Sequence, residues 1–256
     1  MGETIRRFER EAQATAALRS PHTVERYDFG VSGDGVFYYV MEYLNGIDLK
    51  TLIEEHGPQP PGRAIHLMKQ VCESLADAHQ SRMIHRDVKP ANIFSCHMGL
   101  SYDFVKVLDF GLVKIETDDG DEDTQLTQAG MTAGSPAFMA PEVVTGKTNV
   151  DARADLYALG CVGYWLITGQ YVFPRKRTMA MALDHVTTPP QPPCQRTELP
   201  IPEELDRIIL KCLAKQPADR FGSAMELEEA LSTGVPSNGW GRGQAEKWWK
   251  SNYPEV

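Results

Sequence analysis

Eleven residues constrain this chain more than any others: Ile84 to Phe94, I-H-R-D-V-K-P-A-N-I-F. They set a carboxylate (Asp87), a lysine (Lys89) and a carboxamide (Asn92) between two apolar anchors, Met83–Ile84 and Ile93–Phe94. Asp87 and Asn92 are five residues apart, which places them on different faces of a helix. Pro90 between them argues against a continuous helix in any case. A loop pinned at both ends can instead turn all three polar groups toward one point. That point would be a phosphate, a metal ion, or both.

Seventeen residues after Asn92 stands Asp109-Phe110-Gly111, at the end of an apolar run, and further on comes Ala140-Pro141-Glu142. The opening stretch resembles the catalytic loop of protein kinases, H-R-D-x-K-x-x-N, and the three motifs in this order make up that family's signature set. D-V-K-P-A-N and the F-x-R-E-A-Q run near the start are most similar to bacterial-type (Hanks-type) serine/threonine protein kinases. The resemblance implies an α+β, protein-kinase-like fold. Its C-lobe is mainly helical, and its N-lobe is incomplete, with helix C and a β-hairpin. It divides the chain into a partial N-lobe (1–44), a C-lobe (45–233) and a tail rich in Trp and Gly (234–256).

The resemblance assigns roles residue by residue. Asp87 orients the attacking hydroxyl, Lys89 offsets charge on the transferring phosphoryl group, and Asn92 and Asp109 hold Mg2+ (or Mn2+), a hard ion that takes oxygen ligands. Met41 becomes the gatekeeper of the ATP site, with Glu42 to Leu44 as the hinge and Phe94 among the cofactor-binding residues. Glu11 becomes the helix C glutamate that pairs with a strand lysine; without the other motifs, a lone helical Glu reads as a solvated surface charge. His85, Phe110 and Gly111 are structural, His85 as a packing residue rather than a base. Asp155 accepts hydrogen bonds from the catalytic-loop backbone, Glu142 pairs with Arg220, and Ser135 bridges Asp87 and Lys89. Thr127 and Thr132 become phosphosites, read by Arg86, whose guanidinium suits phosphate oxygens. The bland alternative for both threonines is ordinary loop polarity.

One departure is sharp. The glycine-rich loop and strand lysine of the family belong before helix C, and only Met1-Gly2-Glu3 precedes the helix expected over 4–18. Gly30, Gly33 and Gly35 read as turn residues between two strands, not as a substitute loop. The expectation is therefore of a truncated kinase: a fragment, a displaced start, or a protein shortened in nature. Two function classes stay open, a serine/threonine protein kinase and a noncatalytic kinase-like scaffold or regulator. A small-molecule kinase is third, disfavoured by Ala140-Pro141-Glu142 and Arg220.

Elsewhere the pattern gives a hairpin over Val24–Val31 and Val36–Tyr43, and a short helix capped by Asp48 and ended at Gly57. It gives a long amphipathic helix over 62–81 in which His79 is structural, and short strands at 93–95 and 104–108 with a turn between. A buried helix from 151 to 168, an amphipathic helix near Leu205–Leu213 and a last helix at 223–232 complete the body. Glu116 to Asp123 holds six acids in eight residues and is expected to be mobile. The tail tryptophans (Trp240, Trp248, Trp249) need cover, from the body or from a partner.

The formal net charge of −9 argues against a nucleic-acid partner, and no apolar run reaches the length of a membrane span. Five scattered cysteines without a C-x-x-C pair fit reduced thiols and a cytoplasmic chain. Cys96 and His97 have no companions at metal spacing, so zinc is not expected. Protein substrates are the implied partners, with self-association as a route to autophosphorylation.

Overall fold

A computed structural model describes residues 18–33, 36–110, 136–234 and 239–253. The expected helix over 4–18, with Glu11, lies outside the described residues apart from Leu18. So do Gly111, Thr127, Thr132, Ser135 and the acidic run 116–123.

Strands β1 (Arg26–Val31) and β2 (Phe37–Met41) form an antiparallel hairpin. Arg26 faces Met41 across it, with an irregularity before Asp28. Gly30 belongs to β1, not to the turn expected to contain it. Gly33 is not at positive φ either, and Gly35 lies outside the described residues. Ser32 closes this turn, its N–H donating to Val36 O at 2.8 Å.

Strand β3 (Gly46–Asp48) leads into helix α1 (Leu49–His56). The Asp48 carboxylate accepts from the N–H groups of Lys50 and Thr51, both at 3.0 Å, satisfying donors that the first helical turn leaves open. Gly57, at φ 70°, ends the helix in a conformation that needs no Cβ. Helix α2 (Pro61–Gln80) starts at a proline, the residue best suited to a first helical position. It buries Leu67, Met68, Val71, Cys72, Leu75 and Ala78 along one stripe.

Strands β4 (Ile93–Met98) and β5 (Ser101–Val107) complete an antiparallel sheet in the order β3-β4-β5. The strands expected here were shorter. Most of the segment read as a turn is in fact paired, because Cys96 lies opposite Phe104 and the Asp103 side chain is tied from several directions. Only the Met98–Ser101 connection turns, with Gly99 at φ 60°.

Helix α3 (Pro141–Val144) is one turn long. Helix α4 (Arg153–Thr168) is buried nearly all round, as its apolar sequence requires, and ends at left-handed Gly169. Its small residues set its distance from its neighbours. A Cβ on Gly160 would lie 2.5 Å from Cys212 Cβ, and one on Gly163 2.7 Å from Met68 Sδ. Helix α5 (Thr178–Thr187) was not anticipated; it buries Met181, Ala182, Asp184 and His185 while Met179 and Leu183 face outward. Helices α6 (Glu203–Cys212) and α7 (Ala224–Thr233) follow, the latter capped by Ser223. Four of the five cysteines are buried thiols, and Cys194 is exposed.

Helix α7 is not the last helix, contrary to expectation. Helix α8 (Arg242–Asn252) folds back onto β5 and covers the tail tryptophans with the body of the chain itself. Its anchor is Asp103, fully buried and paired with equally buried Arg63 through two hydrogen bonds of 2.6 and 3.0 Å. Trp249 Nε1 donates to Asp103 Oδ1 at 2.8 Å, and Trp240 Nε1 to Oδ2 at 3.0 Å. The Arg63 guanidinium lies 3.6 Å from the Trp248 ring centroid. Tyr253 bonds His56 Nε2 and Glu55, both at 3.0 Å, and so ties the helix end to α1.

Candidate active site

The loop from Ile84 to Phe94 is fixed from beneath by α4. The Asp155 carboxylate, 1% exposed, accepts from the backbone N–H of His85 at 2.8 Å and of Arg86 at 2.9 Å. His79 Nε2, in the last turn of α2, reaches the same carboxylate at 2.8 Å. Three donors thus compensate a carboxylate taken out of water. They also hold Arg86 at φ 66°, a left-handed conformation that costs free energy for a residue with a Cβ. The Arg86 side chain stays exposed.

His85 is buried and fully used. Its Nδ1 accepts from the Asp87 N–H at 3.3 Å, so the proton sits on Nε2 and is given to Leu108 O at 2.8 Å. Burial lowers its pKa, which keeps the ring neutral in this role. Phe110 packs against it at 4.5 Å between ring centroids. This is a packing and orienting histidine with no nitrogen left for proton transfer.

Asp87, Lys89 and Asn92 come together. Lys89 Nζ lies 2.5 Å from Asp87 Oδ2. Asn92 Nδ2 donates to Asp87 O at 2.9 Å and to Asp87 Oδ2 at 3.2 Å. The 3-10 turn Pro90–Asn92 makes this possible, because it folds five residues into a span that side chains can bridge. With both Nδ2 hydrogens directed at Asp87, the Asn92 Oδ1 accepts no hydrogen bond among the described residues.

Val107, Leu108 and Asp109 join this loop to the rest of the cleft. The Leu108 N–H donates to Asn92 O at 2.8 Å, and the next residue, Asp109, stands at φ 60° with a half-buried side chain. Asp109 and Asn92 thus stand on adjoining, hydrogen-bonded segments, and each carries a side-chain oxygen, the ligand type a small divalent cation prefers. Among the described residues no cluster of three or more His, Cys, Asp or Glu could hold a metal ion by itself. The fit to a magnesium ion thus depends on this mixed carboxylate–carboxamide set.

Met41 ends β2 and is exposed, and Glu42 and Leu44 follow, both half-buried. Phe94 lies on β4, directly opposite Lys106 of β5. Away from the loop, Arg220 grips Glu142 with hydrogen bonds of 2.6 and 2.8 Å, both groups buried. It also donates to the carbonyls of Ala214, Arg153 and Lys215.

Three residues of this region carried no role in the sequence reading. His79 was taken only as part of a helix. Lys106 is buried against Glu42, and its signal was a lysine inside the apolar run F-V-K-V-L. Arg26, over the Tyr39 ring at 4.8 Å, is desolvated, which lowers its pKa, and is stabilised as a cation by Tyr39 and Asp109.

The comparisons with known proteins agree with this geometry. Serine/threonine-protein kinase pkn3 of Myxococcus xanthus is 41% identical over 229 residues, 89% of this chain and 42% of that protein. PknB of Mycobacterium leprae is 41% identical over 88% of this chain and 35% of its own length. PrkC of Bacillus subtilis is 36% identical over 90% of this chain and 34% of its own. The chain thus spans less than half the length of these curated relatives. The crystal structure of the Mycobacterium tuberculosis PknI kinase domain superposes with a TM-score of 0.66 at 28% identity, covering 91% of this chain and 79% of that one. The protein kinase domain matches residues 2–232, and the chain belongs to that family.

Proposed function

We propose that this chain is the kinase domain of a serine/threonine protein kinase, which transfers the γ-phosphoryl group of ATP to hydroxyls of protein substrates. The observation that carries this reading is the constellation at Asp87: a carboxylate bonded by Lys89 and Asn92, on a loop locked by Asp155. Phosphoryl transfer asks mainly for positioning and charge compensation, and these groups supply both.

In this reading the substrate hydroxyl oxygen bonds to the γ-phosphorus while the bond to the bridging oxygen of ADP breaks. Asp87 orients the hydroxyl and receives its proton. Lys89 is held within reach of that carboxylate and offsets charge on the transferring group. Asn92 and Asp109 would hold Mg2+ or Mn2+, which when bound supplies charge neutralisation at the phosphate oxygens. Met41, Glu42, Leu44 and Phe94 would frame the adenine. The relatives' names support serine and threonine as acceptors, as does Lys89 in D-V-K-P-A-N. Glu11, Ser135, Thr127 and Thr132 keep the roles that the resemblance implies for them, with Arg86 as the cation for a phosphothreonine, and autophosphorylation would bring two copies together. A cytoplasmic location fits five free thiols and the finding that no helix among the described residues is long and apolar enough to cross a membrane.

The test is transfer of radiolabelled phosphate from ATP to a generic protein by the wild type and by Asp87→Asn. The expected loss in the variant is about a thousandfold, the scale of a positioned general base. Undiminished transfer would remove Asp87 from its role. Nucleotide binding without transfer by the wild type would favour a noncatalytic regulator.

A further inference from the structure

Lysine rarely goes into an apolar strand, yet Lys106 sits in the middle of F-V-K-V-L with its side chain only 7% exposed. Its ammonium group lies 2.6 Å from Glu42 Oε1. The same oxygen accepts the backbone N–H of Glu25 at 2.7 Å, while the Glu42 N–H returns a bond to Glu25 O at 3.0 Å. Glu42, first residue of the segment proposed as the hinge, is therefore held on both its side chain and its backbone. Glu25 holds the backbone, and the lysine that holds the side chain belongs to β5, three residues before Asp109.

The next two residues, Val107 at the end of β5 and Leu108 after it, are tied through their backbones to other segments. Val107 exchanges hydrogen bonds with the 22–24 segment, donating to His22 O at 2.8 Å and accepting from the Val24 N–H at 3.0 Å. Leu108 bonds Asn92 O through its N–H and His85 Nε2 through its carbonyl. Three consecutive residues thus fix three things relative to the strand that presents Asp109: the hinge, the segment leading into it, and the catalytic loop. Of these three residues only Lys106 makes its ties through its own side chain, and that side chain is charged.

We propose that Lys106 is a positioning residue for nucleotide binding. Through Glu42 it sets the hinge backbone at a fixed distance from Asp109, so that adenine and phosphates can be engaged together. This rests on the kinase reading above. A nucleotide spans both ends of that distance, whereas a protein substrate spans neither, so the loss of Lys106 separates the two affinities.

The test uses the full chain as wild type, Lys106→Met, Lys106→Arg, and the double change Glu42→Gln with Lys106→Met. Steady-state kinetics with ATP and a protein substrate are measured beside equilibrium binding of a fluorescent ATP analogue. Lys106→Met is expected to raise the KM for ATP and the Kd of the analogue about tenfold, with kcat and the KM for protein within about twofold. Lys106→Arg returns nucleotide affinity to near the wild-type value, because a guanidinium can still meet the Glu42 carboxylate. The double variant leaves no unpaired buried charge; it stays folded and still binds nucleotide weakly, which separates positioning from destabilisation. Unchanged nucleotide affinity in a folded Lys106→Met or double variant would overturn the proposal. So would an equal rise in both KM values, failure of arginine to rescue, or a wild type that binds no analogue. A wild type that binds the analogue but transfers no phosphate defeats the kinase reading alone, and the binding data still decide the role of Lys106.

Discussion

Trp249 donates its indole N–H to Asp103 Oδ1 at 2.8 Å, across 146 residues of chain. Asp103 also receives Arg63, Ser95 and Trp240, so one buried carboxylate joins α2, two strands and the C-terminal segment. Removing it as Asp103→Ala leaves Arg63 buried and unpaired, at an expected cost of about 3–5 kcal/mol. Trp249→Phe keeps most of the packing and loses one hydrogen bond to a charged group, at about 1.5–3 kcal/mol. Urea unfolding of both variants checks the order; equal costs would show that the carboxylate is not the anchor.

The same group makes stability depend on pH. Burial alone would raise the Asp103 carboxyl pKa, but Arg63 and the hydrogen bonds from Trp249 and Ser95 outweigh it and hold it below the usual range. The folded pKa lies under the unfolded one, so on acidification the unfolded chain takes up the proton first. The contribution is complete above about pH 4 and is lost as pH falls through the folded value. The gap in urea midpoint between wild type and Asp103→Asn should therefore be constant from pH 7 to about 5 and shrink below about 4.

What could be read in the sequence and what could not follow from the range of the interactions. The Ile84–Phe94 loop carries its polar groups within five residues, and its support Asp155, like the Glu142–Arg220 pair, stands in a motif of its own. Asp48 and Gly57 mark their helix through local hydrogen bonds and backbone conformation, which spacing shows directly. Asp103 stands in an unremarkable strand, and nothing near it in the chain announces Arg63 forty residues before or Trp249 far after. Helix α5 was missed because its buried stripe of Met181, Ala182 and His185 is thin, and helix α8 because its tryptophans follow a run that holds Gly and Pro. Composition showed that those tryptophans needed cover but not what covered them.

The Glu142–Arg220 pair is buried and bidentate, and Arg220 bonds three carbonyls besides. Lysine cannot reproduce that fork of donors. Arg220→Lys should cost about 3 kcal/mol by the scale of a broken buried pair, and should lower the thermal midpoint accordingly. A midpoint within a degree of wild type would show that the pair contributes little.

Asp155 acts on the Ile84–Phe94 loop, catalytic in the proposed function, through two backbone N–H groups and holds Arg86 in a left-handed conformation. Asp155→Ala frees both and lets Asp87 shift. A displacement of that kind costs about a hundredfold in kcat, with substrate KM values much less altered. Far-UV circular dichroism establishes that the variant is folded; a folded variant with wild-type kcat would show that the loop keeps its shape unaided.

His185 provides a second pH dependence, at milder acidity. The ring is completely buried on α5, its Nδ1 lies 2.8 Å from the Tyr157 hydroxyl, and Nε2 has no hydrogen-bond partner among the described residues. Burial, reinforced by the nearby Lys215 ammonium, pushes its pKa down to about 4. In the unfolded chain the ring titrates near 6.5. Below that pH the unfolded state gains a proton that the folded state refuses, so stability falls from about pH 6.5 down to about 4 and then levels off. Between pH 7 and 5 the loss attributable to this one ring is about 2 kcal/mol. His185→Gln can still bond Tyr157 and does not titrate. Chemical denaturation at both pH values should show the wild type losing that much more than the variant, and parallel losses would place the titration elsewhere.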